Sequence, residues 1–495
     1  MICVSIGRGR HRMMLAEYRH LAEQGVRLVE LRLDYIRRAV NLKRLLKDRP
    51  CSCICACRRE MDGGFWQGTE QDRLMLLRSA IADGVDYVDL EEDIADKVPR
   101  YGTTKRIVSY HNFRDMPDDL EITHERMCQM DADIIKMAVM AHDPRDNLRM
   151  LKLIQTSSKP MVGMCMGEIG TPTRILAGKF GAPFTYATFS RERPMAPGQL
   201  TYKDMNAIYH YDRINAETEL YGVIADPITH SLSPVIHNGG FRHLNMNKCY
   251  IPFRVPRENL SSFMRDCKEL GLKGLSVTIP HKEEILHFTD QVDGAVHGIG
   301  AANTVVFEES GTVGYNTDFH AAMDSLESAA RHGSSKTNPL EGKSALILGA
   351  GGVAKAVAFG LTRRKVDVTI ASRTHFRSQM LADQLKCKTI HWEDRYDEKY
   401  DVLINGTPVG MHPNVNETPF DSKRLHFTTI VFDTIYNPEL TLLIKEAKKV
   451  GCQVVTGVDM FIRQAAMQFK FFTGENAPMN AMREAMKRAT GAAQY

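Results

Sequence analysis

The 495-residue chain contains no apolar run of the length a membrane-spanning helix needs, about 20 residues. It also lacks a block of like charge. Its 64 basic residues nearly balance 60 acidic ones, and a net charge of +4 supplies no concentrated basic face for nucleic acid. Neither a nucleic acid nor a membrane is therefore an expected partner. The opening MICVSIGRGR lacks the layout of a secretory leader and reads as a short strand, so the expected compartment is the cytoplasm. The 11 cysteines lack the spacing of a secreted disulfide scaffold. Four of them alternate in Cys51-Ser52-Cys53-Ile54-Cys55-Ala56-Cys57. Side chains on one face of a strand stand about 6.6 Å apart, a poor fit to four sulfurs closing around one tetrahedral ion. The segment reads instead as small apolar thiols filling one face of a buried strand. The scattered histidines supply no ligand set either, and no metal is expected.

The composition is 43% apolar and 25% charged, as in a globular protein, and the length predicts two or three domains. Through the first 210 residues a strand-then-helix rhythm recurs. Strands are predicted over 2–6, 26–33, 51–57, 87–90, 106–110, 134–139, 160–165 and 184–188. Eight strands separated by helices suit a (β/α)8 TIM barrel, although an open doubly wound sheet has the same rhythm. Placement of the polar residues decides for the barrel. Glu30, Arg32, Arg58, His111, Lys136 and Arg174 all fall near predicted strand ends or just beyond them, where a barrel collects its chemistry. A polar helical connection is expected over 211–219, then a small α/β domain with a hairpin-like turn at 311–314 and a helix from about Asp318. The polar segment 336–343 leads into a second α/β domain, and the final stretch is expected to be helical and to pack back on the middle domain. The predicted domains are thus 1–212, 220–325, 326–456 and 457–495.

An apolar strand over 344–348 runs into Gly349-Ala350-Gly351-Gly352-Val353-Ala354 and then into helix-forming residues. That context is what a dinucleotide phosphate loop requires. One glycine makes the turn, a second admits the pyrophosphate, and small Ala354 permits close packing. The next strand ends in Ser372-Arg373-Thr374, with Arg377 close behind. An acidic residue there would hold a free ribose hydroxyl, whereas arginines neutralise a 2′-phosphate, so the expected cofactor is NADP. Upstream, Lys282 and Asp318 make a plausible proton-transfer pair for the alkoxide left when hydride reduces a ketone. Two unrelated surface charges are the alternative.

Residues 221–495 resemble the shikimate dehydrogenase family throughout. The resemblance rests on Tyr221-Gly-Val-Ile-Ala-Asp-Pro-Ile-Thr-His-Ser231-Leu-Ser233, Ser276-Val-Thr278-Ile-Pro-His-Lys282, Gly300-Ala-Ala-Asn303-Thr and Asn316-Thr-Asp318. It continues in Asn405-Gly-Thr407-Pro, Asp433-Thr-Ile-Tyr436 and Gly457-Val-Asp-Met-Phe-Ile-Arg-Gln464. It implies an α/β substrate domain followed by a Rossmann-like NADP domain. Ser231 and Ser233 would bind the substrate carboxylate. Thr278, Asn303 and Gln464 would hold the hydroxyls and the carboxylate side, while Tyr436 would line the substrate end. Lys282 and Asp318 would be catalytic, and Asn405, Thr407 and Gly457 would lie on the cofactor side. Ser372 replaces the family's usual asparagine and keeps a hydrogen-bonding group.

In the barrel half, Lys136 interrupts the apolar segment Ile134-Ile135-Lys136-Met137-Ala138-Val139. Alternation puts it on one face with Ile134 and Ala138. Burial disfavours a charged lysine, and a neutral one can form an imine with a ketone. His111 ends the preceding strand and could move a proton beside the imine carbon. The alternative is a lysine that snorkels to the rim. These residues are similar to the type I 3-dehydroquinate dehydratase family over about 1–210. The matching pieces are Glu30-Leu-Arg32-Leu-Asp34, Arg58 through Asp62-Gly-Gly, Ser109-Tyr-His111, Asp133-Ile-Ile-Lys136, Gly163 through Arg174, and Ala196-Pro-Gly-Gln199. The similarity makes Lys136 the Schiff-base residue and His111 the general acid/base. Arg58 and Arg174 would bind the carboxylate, and Glu30, Arg32 and Gln199 would orient hydroxyls. Asp62 replaces a glutamate that steadies the histidine, and Met195 replaces a serine. The loop 190–199 is a candidate lid. The two activities would be consecutive, giving 3-dehydroshikimate and then shikimate. A quinate dehydrogenase using NAD, and an inactive barrel kept as a scaffold, are the rival readings.

Overall fold

The computed structural model describes residues 1–229, 231–331 and 337–491. The chain divides into two compact units. One comprises Met1–Pro234 with Asn245–Leu272, the other Val235–Leu244 with Lys273–Tyr495.

In the first unit, eight parallel strands form the barrel: β1 (Ile2–Ile6), β2 (Leu28–Arg32), β3 (Ser52–Ala56), β4 (Tyr87–Glu91), β5 (Lys105–Asn112), β6 (Ile134–Met140), β7 (Met161–Met166) and β8 (Thr185–Thr188). Their order is β7-β6-β5-β4-β3-β2-β1-β8, so the ring is nearly closed and its seam lies between β7 and β8. Strand alternation sorts the side chains. Cys3, Leu28, Ile54, Ile107, Ile134, Ala138, Val162 and Phe184 pack together inside. Lys136 lies two residues from both Ile134 and Ala138, and Glu30 two from Leu28, so both belong to the interior face. Ile54 points inward, which turns Cys53 and Cys55 to the opposite face. Both are buried, and all 11 cysteines are free thiols.

The same unit contains the parallel pair β9 (Glu219–Ala225) and β10 (Lys248–Arg254), in register from Glu219↔Lys248 to Ala225↔Arg254. The connection to β9 is only a short 3-10 turn, Tyr211–Arg213, followed by irregular backbone, rather than the helical link expected. A side-chain knot explains this. The Asn215 side chain accepts from Glu217 N–H, and Thr218 Oγ1 accepts from Asn215 N–H, bonds that compete with a helix.

In the second unit, β11 (Leu272–Val277) pairs antiparallel with β13 (Thr304–Glu308), and β13 with β14 (Gly311–Tyr315). The short β12 (Gln291–Val292) lies parallel beside β14. The hairpin turn therefore falls at 309–310, and Gly311, expected in the turn, opens the return strand. Its φ of +133° is available to glycine, and Asp290 lies where a side chain would stand. The predicted connector 336–343 begins outside the described residues at Lys336; the remainder leads into the third sheet.

That sheet is fully parallel: β15 (Ser344–Leu348), β16 (Asp367–Ala371), β17 (Lys388–Ile390), β18 (Val402–Asn405), β19 (Ile430–Asp433) and β20 (Gln453–Val455). Its order, β17-β16-β15-β18-β19-β20, is the 3-2-1-4-5-6 arrangement of a Rossmann fold. Ala345 and Ile347 enter one core and Leu346 and Leu348 the other, so β15 is apolar on both faces because helices cover both. Burial of each Leu or Ile of this strand contributes roughly 1.5–3 kcal/mol. The last helix, Met479–Gly491, inserts Met482 and Met486 and pairs Arg483 with Asp459 at 2.8 Å.

Candidate active sites

The barrel cavity is lined by Glu30, Arg32, Arg58, Asp62, His111, Lys136, Arg174, Tyr186, Met195 and Gln199 among others. Lys136 is the third residue of β6, further inside than a strand end. Its Nζ donates to Asp89 Oδ2 at 2.9 Å and to Glu30 Oε1 at 3.4 Å, and it stands 4.2 Å from the Tyr186 ring centre. The charge that looks isolated in the sequence is thus compensated by two carboxylates. Ser5 Oγ donates to Glu30 Oε2 at 2.7 Å, and Arg32 grips Asp34 with two bonds of 2.9 and 2.8 Å. Arg58 pairs with Asp89, and its Nη1 reaches Glu91 at 3.0 Å and Ser109 Oγ at 2.9 Å. Burial alone would raise the Asp89 carboxyl, but the Arg58 and Lys136 cations outweigh it and hold it below the ordinary range.

His111, on β5, lies one strand over from Lys136. Its Nδ1 is enclosed and has no hydrogen-bond partner among the described residues. Burial first, and then the nearby Arg58 and Lys136 cations, push its pKa well below 6.5, so the ring is neutral. Asp62 does not steady it, because its carboxylate accepts from Arg59 Nε at 2.6 Å.

Arg174 is the exception in this balanced cluster. It sits on the helix Thr171–Leu176, beyond the end of β7, with 1% of its surface exposed. Its Nη2 lies 3.4 Å from Pro197 O and its Nη1 3.5 Å from Met164 Sδ, while Nε has no partner. Among the described residues no carboxylate forms an ion pair with it. Burial lowers its pKa from the ordinary guanidinium range to about 10. A dry guanidinium left without an anion has donors and charge to offer one. The loop beside it is held by Gly167 N–H to Pro197 O at 3.2 Å, and Met195 N–H donates to Gln199 Oε1 at 2.9 Å.

In the second unit, Lys282 Nζ donates to Asp318 Oδ2 at 2.5 Å. Asp318 belongs to the first turn of the helix Thr317–Ala330, whose cap, Asn316, accepts from Phe319 N–H. Asn303 accepts Thr317 N–H at 2.8 Å and donates to its hydroxyl at 2.9 Å. That hydroxyl lies 3.4 Å from Gln464 Oε1. Thr278 accepts His281 N–H through its carbonyl. Tyr436 stacks on Phe461 at 4.2 Å, and burial raises its phenol. In the first unit, Ser231 N–H donates to Ile228 O and its Oγ accepts from Ser233 N–H at 3.4 Å.

The phosphate loop fits a dinucleotide. Gly349 has φ +104°, and a β-carbon there would come within 2.9 Å of Gly406 O. Ala350 and Val353 pack on the sheet core, and Ala354 is fully buried. Around Gly351 the space is open, and the helix Gly352–Arg363 begins with no side-chain cap, leaving N–H groups free for a pyrophosphate. A β-carbon on Gly352 would meet the Lys282 stem at 3.1 Å, which places the lysine beside this loop. Ser372 Oγ accepts from Thr374 N–H, while Arg373 and Arg377 are exposed with no acidic partner among the described residues. Asn405 is fully buried and spends its side chain on Thr407, Val409 and Asp433, so it shapes the loop. Gly457 is required because the Ile435 carbonyl oxygen occupies the place where a β-carbon would stand.

Comparison with known proteins agrees piece by piece. Type I 3-dehydroquinase matches residues 2–216, and the shikimate dehydrogenase substrate binding domain matches 223–305. Shikimate / quinate 5-dehydrogenase matches 331–418, and the shikimate 5′-dehydrogenase C-terminal domain matches 457–487. The chloroplastic bifunctional 3-dehydroquinate dehydratase/shikimate dehydrogenase of Arabidopsis thaliana is 36% identical over 97% of this chain and 83% of its own length. This chain belongs to that bifunctional family. It unites a dehydratase and an NADP-dependent oxidoreductase. The shikimate dehydrogenase of Thermus thermophilus, solved with NADP(H) and shikimate, is 30% identical, with TM-score 0.50 over 55% of this chain and all of its own. A quinate dehydrogenase from Corynebacterium glutamicum, solved with NAD, scores equally, with 30% identity and TM-score 0.50 over 55% of this chain and 99% of its own. These two structures score alike, but a shikimate dehydrogenase solved with NADP+ is 37% identical, with TM-score 0.52 over 56% of this chain and 97% of its own, and the exposed Arg373 and Arg377 accord with NADP.

Sequence reasoning missed Asp89, Glu91 and Tyr186 in the dehydratase barrel. It also missed Gln468 in the dehydrogenase, which donates to Asn303 O at 3.0 Å and Thr304 Oγ1 at 2.9 Å. Alternation along β4 puts Asp89 and Glu91 on one face and was the available signal. Gln468 follows Gln464 by one helical turn.

Proposed function

We propose that the barrel dehydrates 3-dehydroquinate through an imine on Lys136 and that the dehydrogenase reduces the resulting 3-dehydroshikimate to shikimate with NADPH. One observation carries the first half: a lysine, a neutral histidine and a buried arginine without an anion share one cavity. Arg174 takes the substrate carboxylate, which leaves Arg58 to organise Asp89 and Glu91. Lys136 Nζ condenses with the ketone carbon, and the carbonyl oxygen leaves as water, giving a protonated imine. His111 removes a proton from the neighbouring carbon, the electron pair moves toward the imine nitrogen, and His111 returns the proton to the departing hydroxyl. Hydrolysis then frees Lys136 and restores the ketone. Glu30, Arg32 and Gln199 hold hydroxyls, and the loop 190–199 covers the site.

In the dehydrogenase, NADPH supplies hydride when bound. Ser231 and Ser233 bind the carboxylate, with Thr278, Asn303 and Gln464 on the ring hydroxyls and Tyr436 at the substrate end. Lys282, held by Asp318, gives its proton to the carbonyl oxygen as it becomes an alkoxide. The 2′-phosphate meets Arg373 and Arg377, with Ser372 and Thr374 beside them.

Borohydride added during turnover of 3-dehydroquinate tests the barrel chemistry. A reduced adduct on the peptide bearing Lys136, absent from Lys136→Met, is expected. Turnover with no trapped adduct would overturn the imine.

A further inference from the structure

The loop carrying Ser231 follows β9, where the β9–β10 backbone ladder stops, and beyond the backbone bond from Ser231 N–H to Ile228 O its path is held by side chains. Arg254, the last residue of β10, donates from Nε to Asp226 Oδ1 at 2.8 Å. Its Nη1 lies 3.1 Å from Glu168 Oε2, and Glu168 Oε1 accepts from the Thr229 hydroxyl. Glu168 belongs to the barrel, in the turn between β7 and the helix Thr171–Leu176, and it lies within the same compact unit as β9 and β10. Its two carboxylate oxygens hold both sides of the loop, one through Arg254 and one through Thr229. Its own backbone is set by Gly167 at φ +84° and by Thr171 N–H, which donates to Glu168 O at 3.3 Å. Glu168 does not line the barrel cavity.

We propose that Glu168, a residue of the dehydratase barrel, is a positioning residue for the dehydrogenase, holding the loop that presents Ser231 to the substrate carboxylate. This rests on the reading that Ser231 binds that carboxylate. Releasing the loop raises the cost of ordering it on binding, while the Lys282–Asp318 pair stays as it is. In Glu168→Ala the KM for 3-dehydroshikimate rises about three- to tenfold, a size set by one lost charged contact and the ordering of a short loop. The kcat for reduction and the KM for NADPH stay near wild type. Glu168→Gln, which can still accept from Thr229, recovers part of the loss.

The experiment measures both reactions of the full-length chain in wild type, Glu168→Ala and Glu168→Gln, with kcat of the dehydratase reporting an intact barrel. A raised KM, unchanged kcat values and partial rescue by glutamine support the proposal. An unchanged KM in Glu168→Ala, or a parallel fall in both activities, overturns it. If wild type itself fails to reduce 3-dehydroshikimate, the dehydrogenase assignment falls and takes this proposal with it.

Discussion

Replacing Arg174 with methionine removes a buried charge at nearly constant side-chain length. A pKa lowered from the ordinary guanidinium range to about 10 by full burial corresponds to roughly 3 kcal/mol. The sign follows from where the charge is lost. Below pH 10 the group is charged in the folded and unfolded chain alike, so the whole desolvation cost is present at neutral pH. It is relieved only as pH rises through about 10. Against that gain stand the contacts to Pro197 O and Met164, together worth about 1–2 kcal/mol at most. The variant is therefore expected to be more stable by about 1–3 kcal/mol, and in a unit of this size each kcal/mol moves the melting midpoint by roughly 2–4 °C. The same substitution removes the partner for the substrate carboxylate, so kcat/KM for 3-dehydroquinate falls by about 10²-fold or more. Calorimetry and steady-state kinetics on one preparation read both. A lower midpoint combined with normal dehydratase kinetics would refute the claim that Arg174 is an anion site kept at a cost in stability.

Arg58→Met should behave oppositely, losing at most about 3–5 kcal/mol, because Asp89 keeps only Lys136 and Glu91 only Arg73 as cationic partners; a denaturation midpoint at or above wild type contradicts this. His111, depressed well below 6.5, should let dehydratase kcat/KM persist as pH falls through 6.5 and decline only at lower pH, where the ring gains its proton; an acid limb at or above 6.5 contradicts a neutral base. Replacing Arg373 and Arg377 together by alanine should raise the KM for NADPH about tenfold or more while leaving that for NADH nearly unchanged, since only the former carries the 2′-phosphate. Equal effects on both cofactors would remove the specificity argument.

The two chemistries differ in how visible they are in the sequence. The Rossmann sheet is legible because its apolar strand, glycine loop and helix are contiguous, and every site feature of β15 lies within a few residues. Lys136 is legible as a charge breaking an apolar strand. Asp89 and Glu91 break β4 by the same rule, yet a carboxylate in a five-residue strand draws less notice than a lysine. Arg174 was legible only as a residue at or just beyond a strand end; the short helix that carries it, opened by Pro172, was not. The hairpin turn lies three residues earlier than expected because Gly311 and Gly314 looked like turn glycines but serve a strand packed against Asp290 and Val292. Glu168 could not be read at all, since its partner Arg254 lies 86 residues away and only the folded chain brings them together.

The central claim, two consecutive reactions in one chain, is tested most directly by giving the purified protein 3-dehydroquinate alone and then adding NADPH. Enone absorbance should rise, then fall as NADPH is oxidised in equal amount, with shikimate as the product. Normal reduction of supplied 3-dehydroshikimate without any enone from 3-dehydroquinate would contradict the account of the barrel, and an enone that persists after NADPH is added would contradict that of the dehydrogenase.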